Sequence, residues 1–341
     1  MNIALPVLDI PVRPRISPFT EEAHARGLEW AARTGLVRGE CALRRVESAR
    51  FAVLVGRMHP AVGRDDLILA VQWYLWFFMF DDQYDDGEIG RRPDLLDSVF
   101  APLLALIERA DREHLTASAR PAPITVALAD LWVRTRRRAR PGPRHRMAEH
   151  IERYFDAYRW ETDNRTRRIV PDPLSYAKMR RWSVGLAPVI DLAEICADAD
   201  LPESLLASDA YRAMWRSAVN TIAWTNDLFS LRKEHARGEV NNLVISLREH
   251  RGCGWDEAVG TVATLIEEQV DAFVAAEREL PRAAAALGLA ADQTARRCAR
   301  DLADMMRGNL DWSLETARYR DVEPTASGET ADYLEKILPA A

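Results

Sequence analysis

Cysteine is scarce in this chain: Cys41, Cys196, Cys253 and Cys298 are the only four in 341 residues, and no two form a CxxC pair. A disulfide framework and a cysteine-based zinc site are therefore excluded. Positive charge is also in deficit, with 46 Lys and Arg against 52 Asp and Glu and a formal charge of −6. The molecule as a whole does not attract nucleic acid, and an acidic ligand would need a local basic site. Long apolar runs are missing as well. From Leu67 to Phe80 only Gln72 is polar, yet these 14 residues fall short of the roughly 20 that a membrane-crossing helix needs. Met1 to Ile16 holds three prolines and no basic-then-apolar run, so no secretory signal is expected and the expected location is cytoplasmic.

Strand signals are few, because no alternating Val, Ile or Thr run is bounded by Asn-Gly or Asp-Gly turns. What is present is 48% apolar and 29% charged residues, with Ala, Leu, Arg and Glu dominating between breakers, as in a soluble helical protein. Pro60, Gly87 to Pro93, Pro121 to Pro123, Pro141 to Pro143, Pro171 to Pro173, Pro202, Gly252 to Gly254 and Pro281 divide the chain into helix-sized pieces. No break is long enough for a domain linker, and no internal repeat suggests a solenoid. Seven arginines between Arg134 and Arg146 read as a solvated helix end, since no aromatics interleave with them for base stacking.

Chemistry concentrates in two places. Asp81, Asp82, Asp85 and Asp86 close an apolar helix that stops at Gly87, where like charges repel at i,i+4 and the helix dipole disfavours anions. A cation would relieve both penalties. Oxygen ligands without His or Cys select a hard ion such as Mg²⁺. Trp73, Phe77, Phe80 and Tyr84 recur at helical spacing just before the acids, as core or as the wall of a pocket for an apolar ligand that becomes positively charged. Far downstream, Asn226, Ser230 and Glu234 fall at i, i+4 and i+8, one stripe from which an amide, a hydroxyl and a carboxylate can enclose a second hard cation. Lys233 beside them suits a phosphate. Seven histidines without HExxH, and no recognisable nucleophile triad, leave no other centre.

Together these stretches resemble the metal-binding motifs of class I terpene synthases, in particular the bacterial cyclases. Asp81-Asp82-Gln83-Tyr84-Asp85 is similar to DDxxD, and Asn226, Asp227, Ser230, Lys233 and Glu234 to NDxxSxxKE. Arg180 sits where the family keeps a diphosphate-sensing arginine, and Trp312 followed by Arg318-Tyr319 resembles its Trp-then-Arg-Tyr ending. The resemblance implies an all-α, single-domain helical barrel of about a dozen helices around a deep apolar cavity, built from residues 18–320, with 1–17 a flexible segment and 321–341 a tail. It implies three Mg²⁺ ions, held by Asp81 and Asp85 on one side and by Asn226, Ser230 and Glu234 on the other. Arg180, Lys233, Arg318 and Tyr319 would grip the diphosphate, with Asp81, Arg180, Asn226, Ser230 and Glu234 central to catalysis.

Trp73, Phe77, Phe80, Trp182, Val184, Gly185 and Trp312 are the expected cavity residues. A helix break at Gly185 and Pro188 would aim a backbone carbonyl inward, although Ser183 departs from the acid that some relatives use. The expected reaction is cyclisation of a linear isoprenyl diphosphate. Farnesyl diphosphate is the first choice, giving a sesquiterpene, with geranylgeranyl and geranyl diphosphates following. Other readings are a prenyl-chain elongase, which would carry a second aspartate-rich motif, and a non-catalytic prenyl-lipid binding or scaffold protein. A class II cyclase is excluded by the lack of DxDD. Relatives are often homodimers, but nothing in the sequence marks an interface.

Overall fold

A computed structural model describes residues 4–85, 87, 89–108, 121–287 and 289–319. Asp86 and the 321–341 tail lie outside the described residues. Among these residues every regular element is a helix. The helices are α1 (Thr20–Thr34), α2 (Glu40–Ala49), α3 (Phe51–Met58), α4 (Arg64–Asp85), α5 (Pro93–Glu108), α6 (Pro123–Arg138) and α7 (Pro141–Arg167), then α8 (Pro173–Ser183), α9 (Leu186–Cys196), α10 (Glu203–Leu206), α11 (Asp209–Ala236), α12 (Leu243–Arg251), α13 (Trp255–Ala285) and α14 (Leu289–Glu315). Among the described residues no helix is long and apolar enough to cross a membrane.

The breakers place the helix starts. Pro123, Pro141 and Pro173 each stand at a helix N-terminus, where a missing N–H costs nothing. Asp172 caps α8 by accepting from Leu174 N at 3.1 Å and Ser175 N at 3.0 Å, and Asn242 caps α12 by accepting from Val244 N at 2.8 Å. Pro281 behaves differently from its expectation as a break, because α13 runs one turn past it to Ala285. Leu280 and Ala284 are buried on either side, and that packing offsets the single lost hydrogen bond.

Helix α4 is enclosed by its neighbours. It buries residues around nearly its whole circumference, as a helix enclosed by others must. Helices α1, α3 and α6 pack on it, α7 pairs with α9 and reaches α4 through its side chains, and α11 pairs with α13 and α14. At Gly308 of α14 a Cβ would sit 2.6 Å from the Arg57 carbonyl carbon, so only glycine allows α14 to lie this close to α3. Within residues 4–17, most of them exposed, a few groups meet the body. Ile10 is 1% exposed, Ser17 N donates to Gly56 O at 2.9 Å, and Arg15 pairs with Asp304 at 3.0 Å. The arginines of the 134–146 stretch are largely matched to carboxylates, including Arg138 with Asp66 at 2.6 Å and Arg146 with Glu194 at 2.5 Å.

Candidate active site

Helix α4 ends, and α11 passes, on opposite sides of one hollow. Its deep part has a volume of about 730 Å³, counting space open to solvent, and is walled by Phe77, Tyr154, Val184, Gly185, Ile222 and Trp312. Its mouth is lined by Asp81, Asp85, Asn226, Ser230, Lys233, Glu234 and Arg318. Phe78, Asp81, Asn226 and Tyr319 line both parts, so they are continuous.

The acids at the end of α4 each have a basic or hydroxyl partner, which answers the charge problem posed by their position. Arg318 grips Asp82 with both nitrogens, at 2.7 and 3.2 Å, and lies 3.6 Å from Asp81. Lys233 approaches Asp82 at 3.9 Å. Burial by itself would raise the Asp82 carboxyl, but Arg318 and Lys233 overcome it and hold the group below the usual carboxylate range. Asp81 accepts from the Tyr158 hydroxyl at 2.7 Å, which in turn accepts from Tyr154 at 2.8 Å. Burial and the neighbouring Asp85 push Asp81 up to about 6. Asp85 accepts from Arg165 at 2.5 Å, and Arg165 also holds Glu239 at 2.6 Å.

Across the mouth, Arg180 donates to Asp227 at 3.0 Å and to the Asn226 amide oxygen at 2.7 Å. The Asn226 amide nitrogen donates to the Tyr319 hydroxyl at 2.7 Å. Asn226 thus joins Arg180 to Tyr319. Ser230 donates to the Asn226 carbonyl at 2.7 Å, and Glu234 accepts from Asn242 at 2.8 Å. Burial, then the charge of Asp227, pushes Glu234 up to about 8.

A hard cation fits this donor set, which is oxygen throughout. Asp81 and Glu234 have raised carboxyl pKa values, and a nearby cation favours the ionised form of each. Among the described residues no three His, Cys, Asp or Glu side chains gather into one cluster. The amide and hydroxyl of α11 stand near these carboxylates as further oxygen donors.

The structure brings Asp81, Asp85, Arg180, Asn226, Ser230, Lys233, Glu234, Arg318 and Tyr319 to the mouth or its margin, and Phe77, Val184, Gly185 and Trp312 to the deep wall. It places three expected cavity residues elsewhere. Trp73 is turned to α6, where its indole N–H donates to Thr135 at 2.9 Å. Phe80 is packed among Trp76, Phe155 and Tyr158 at ring separations of 5.4 to 5.6 Å. Trp182 lies on the outer side of α8 with Trp215 and His150, in a separate cleft. Arg180 and Val184 are one turn apart and share the inner face, whereas position 182 points away from it. The expected break is there: α8 ends at Ser183 and α9 begins at Leu186, with Gly185 at φ +72°. Pro188 sits inside the first turn of α9, where proline fits without a kink.

Sequence reading missed Tyr154, Tyr158, Glu161 and Arg165, all on α7. Their spacing of four, three and four repeats that of the α4 stripe, a signal hidden in a helix dense with other charges. It also gave Asp227 no separate role. That side chain is fully buried, accepts from Tyr176 at 2.7 Å and Leu243 N at 3.1 Å, and fixes Arg180.

These features define a helical enzyme with a charged mouth over an apolar pocket, and known proteins share them. A sequence model of terpene synthase family 2, C-terminal metal binding, matches residues 72–272, a stretch that holds both acidic motifs. The chain belongs to this family, whose metal-binding region implies a divalent metal. Pentalenene synthase of Streptomyces exfoliatus is 32% identical over 340 residues, covering 97% of this chain and 97% of that one. Pristinol synthase of Streptomyces pristinaespiralis is 32% identical over 312 residues, covering 91% and 83%. Among solved structures, linalool/nerolidol synthase from Streptomyces clavuligerus in complex with 2-fluorogeranyl diphosphate has a TM-score of 0.80 at 31% identity, covering 88% of this chain and 100% of that one.

Proposed function

We propose that this protein ionises a linear isoprenyl diphosphate, farnesyl diphosphate first among the chain lengths, and cyclises the resulting cation to a sesquiterpene. The observation that carries the proposal is the single hollow, charged at its mouth and apolar in its depth. An anionic head and a long hydrocarbon tail would each find their own surroundings there. The residues from 18 to 320 form the cyclase unit in this reading.

Arg180, Lys233, Arg318 and Tyr319 would bind the diphosphate oxygens, with Arg318 and Lys233 giving up part of their hold on Asp82 as the more highly charged ligand arrives. Asp81 and Asp85 would hold Mg²⁺ from the α4 side, and Asn226, Ser230 and Glu234 from the α11 side, three ions in all. When bound, the metal supplies positive charge that stabilises the negative charge developing on the leaving group. The side chains at the mouth exclude water, and the deep wall of Phe77, Tyr154 and Trp312 folds the chain and faces the cation with aromatic rings.

Incubation with Mg²⁺ and each of farnesyl, geranylgeranyl and geranyl diphosphate, followed by gas chromatography–mass spectrometry and a diphosphate assay, tests the proposal. Diphosphate with a cyclic C15 product is expected, and EDTA should abolish both. A longer prenyl diphosphate as product would instead mark an elongase, and no turnover of any substrate a binding protein.

A further inference from the structure

Tyr74 and His59 form a buried polar pair that the ionisation chemistry leaves unused. Tyr74 lines the deep hollow beside Leu54, Met58 and Phe78. It lies seven residues before Asp81 on α4, two turns and about 10 Å below the diphosphate end. Its hydroxyl is 3.0 Å from His59 Nε2, and the imidazole stands edge-on to the phenol ring at an interplanar angle of 81°. The other nearby acceptor is the Met58 sulfur at 3.4 Å, a weak one. Tyr154 and Tyr158, by contrast, are engaged in the chain that ends on Asp81. Tyr74 is therefore a cavity-lining phenol whose hydroxyl is paired with an imidazole.

We propose that Tyr74, backed by His59, takes the proton from the last carbocation, so that the reaction closes on an olefin. This rests on the function proposed above. A C–H bond next to the cationic carbon breaks and its electron pair becomes the new C=C bond. The proton goes to the Tyr74 oxygen as the Tyr74 proton passes to His59 Nε2, which leaves a neutral phenol and an imidazolium. The imidazolium returns its proton to water through Tyr74 when the product leaves. Burial holds His59 down to about 4, so the imidazole is neutral at pH 7, and the tautomer with its proton on Nδ1 leaves Nε2 able to accept from Tyr74. A proton lost at this depth is two helical turns from the diphosphate oxygens, the other available base.

The test compares wild type, Tyr74→Phe and His59→Gln on farnesyl diphosphate with Mg²⁺ in ¹⁸O-water, measuring diphosphate released and every C15 product. Tyr74→Phe keeps the ring and removes the hydroxyl. His59→Gln keeps an acceptor for Tyr74 but cannot take a proton. Wild type is expected to give mainly an unlabelled olefin. In both variants the share of that olefin per diphosphate released should fall at least fivefold, in favour of other olefins and ¹⁸O-labelled alcohols. A labelled alcohol as the main wild-type product, or an unchanged product ratio in Tyr74→Phe, overturns the assignment while leaving cyclisation standing. Absence of diphosphate release from wild type overturns the cyclase reading and this inference with it.

Discussion

Asn226 shows how much a single side chain carries at this site, because its oxygen accepts from Arg180 and its nitrogen donates to Tyr319. Both partners are proposed diphosphate ligands, so losing the amide separates them and removes a proposed metal donor together. Asn226→Leu should lower kcat/KM by at least about a hundredfold, the scale seen when one preorganised polar contact to a transition state is lost. Its helical circular dichroism should be unchanged. Product formation at the wild-type rate would remove Asn226 from the site. Phe77 and Phe80 test the difference between wall and core one turn apart. Phe77 faces the hollow and meets Tyr154 edge-on at 5.5 Å, so Phe77→Ala should change the product mixture more than the melting temperature. Phe80 is 1% exposed within a ring cluster, and Phe80→Ala should cost about 3–5 kcal/mol of stability in denaturant titration. The opposite pattern would exchange their roles.

At the scale of elements, the junction between α8 and α9 aligns the mouth with the wall. Arg180 ends the charged surface, Val184 and Gly185 begin the apolar one, and the positive φ of Gly185 lets the chain turn between them. A Cβ at this position would meet Tyr154 Cε2 at 3.3 Å, and the left-handed conformation itself costs an alanine about 1–2 kcal/mol. Gly185→Ala should therefore lower the melting temperature and shift the product mixture, because Tyr154 is displaced at the wall. A purely local cost, with the product ratio intact in chromatography, would show that the junction only connects two helices. The break was legible from Gly185, and the stripes on α4 and α11 from their period, since helical spacing alone brings i, i+4 and i+8 together. The α7 contribution was not legible in the same way. Tyr158 reaches Asp81 and Arg165 reaches Asp85 across 77 and 80 residues, and no local period encodes which helix will stand opposite. Trp73 and Phe80 were misassigned for a related reason: the stripe identifies a buried face, but only the neighbours decide whether a ring meets a cavity or another ring.

For the whole molecule, the placement of the acids was readable because four in six residues at an apolar helix end demand a cation, whereas the cations that answer them come from α7, α11 and the chain end. That assembly includes a carboxyl, Glu161, whose burial outweighs the cations near it. Glu161 is buried, with Arg165 at 3.8 Å, and burial raises its pKa to about 7 despite Arg165 and Arg180. The folded value lies above the 4.5 of an exposed glutamate, so between these values the native state binds more protons than the unfolded chain. Stability then falls as pH rises through that interval, and the loss is complete above about 7. Glu161→Gln keeps the shape and removes the titration. In metal-free protein the stability difference, Glu161→Gln minus wild type, should grow by about 1–3 kcal/mol from pH 4.5 to 7.5, measured by urea unfolding at each pH. A difference independent of pH would mean that Glu161 titrates in the folded state as it does in the unfolded chain, with Arg165 and Arg180 just offsetting the cost of its burial.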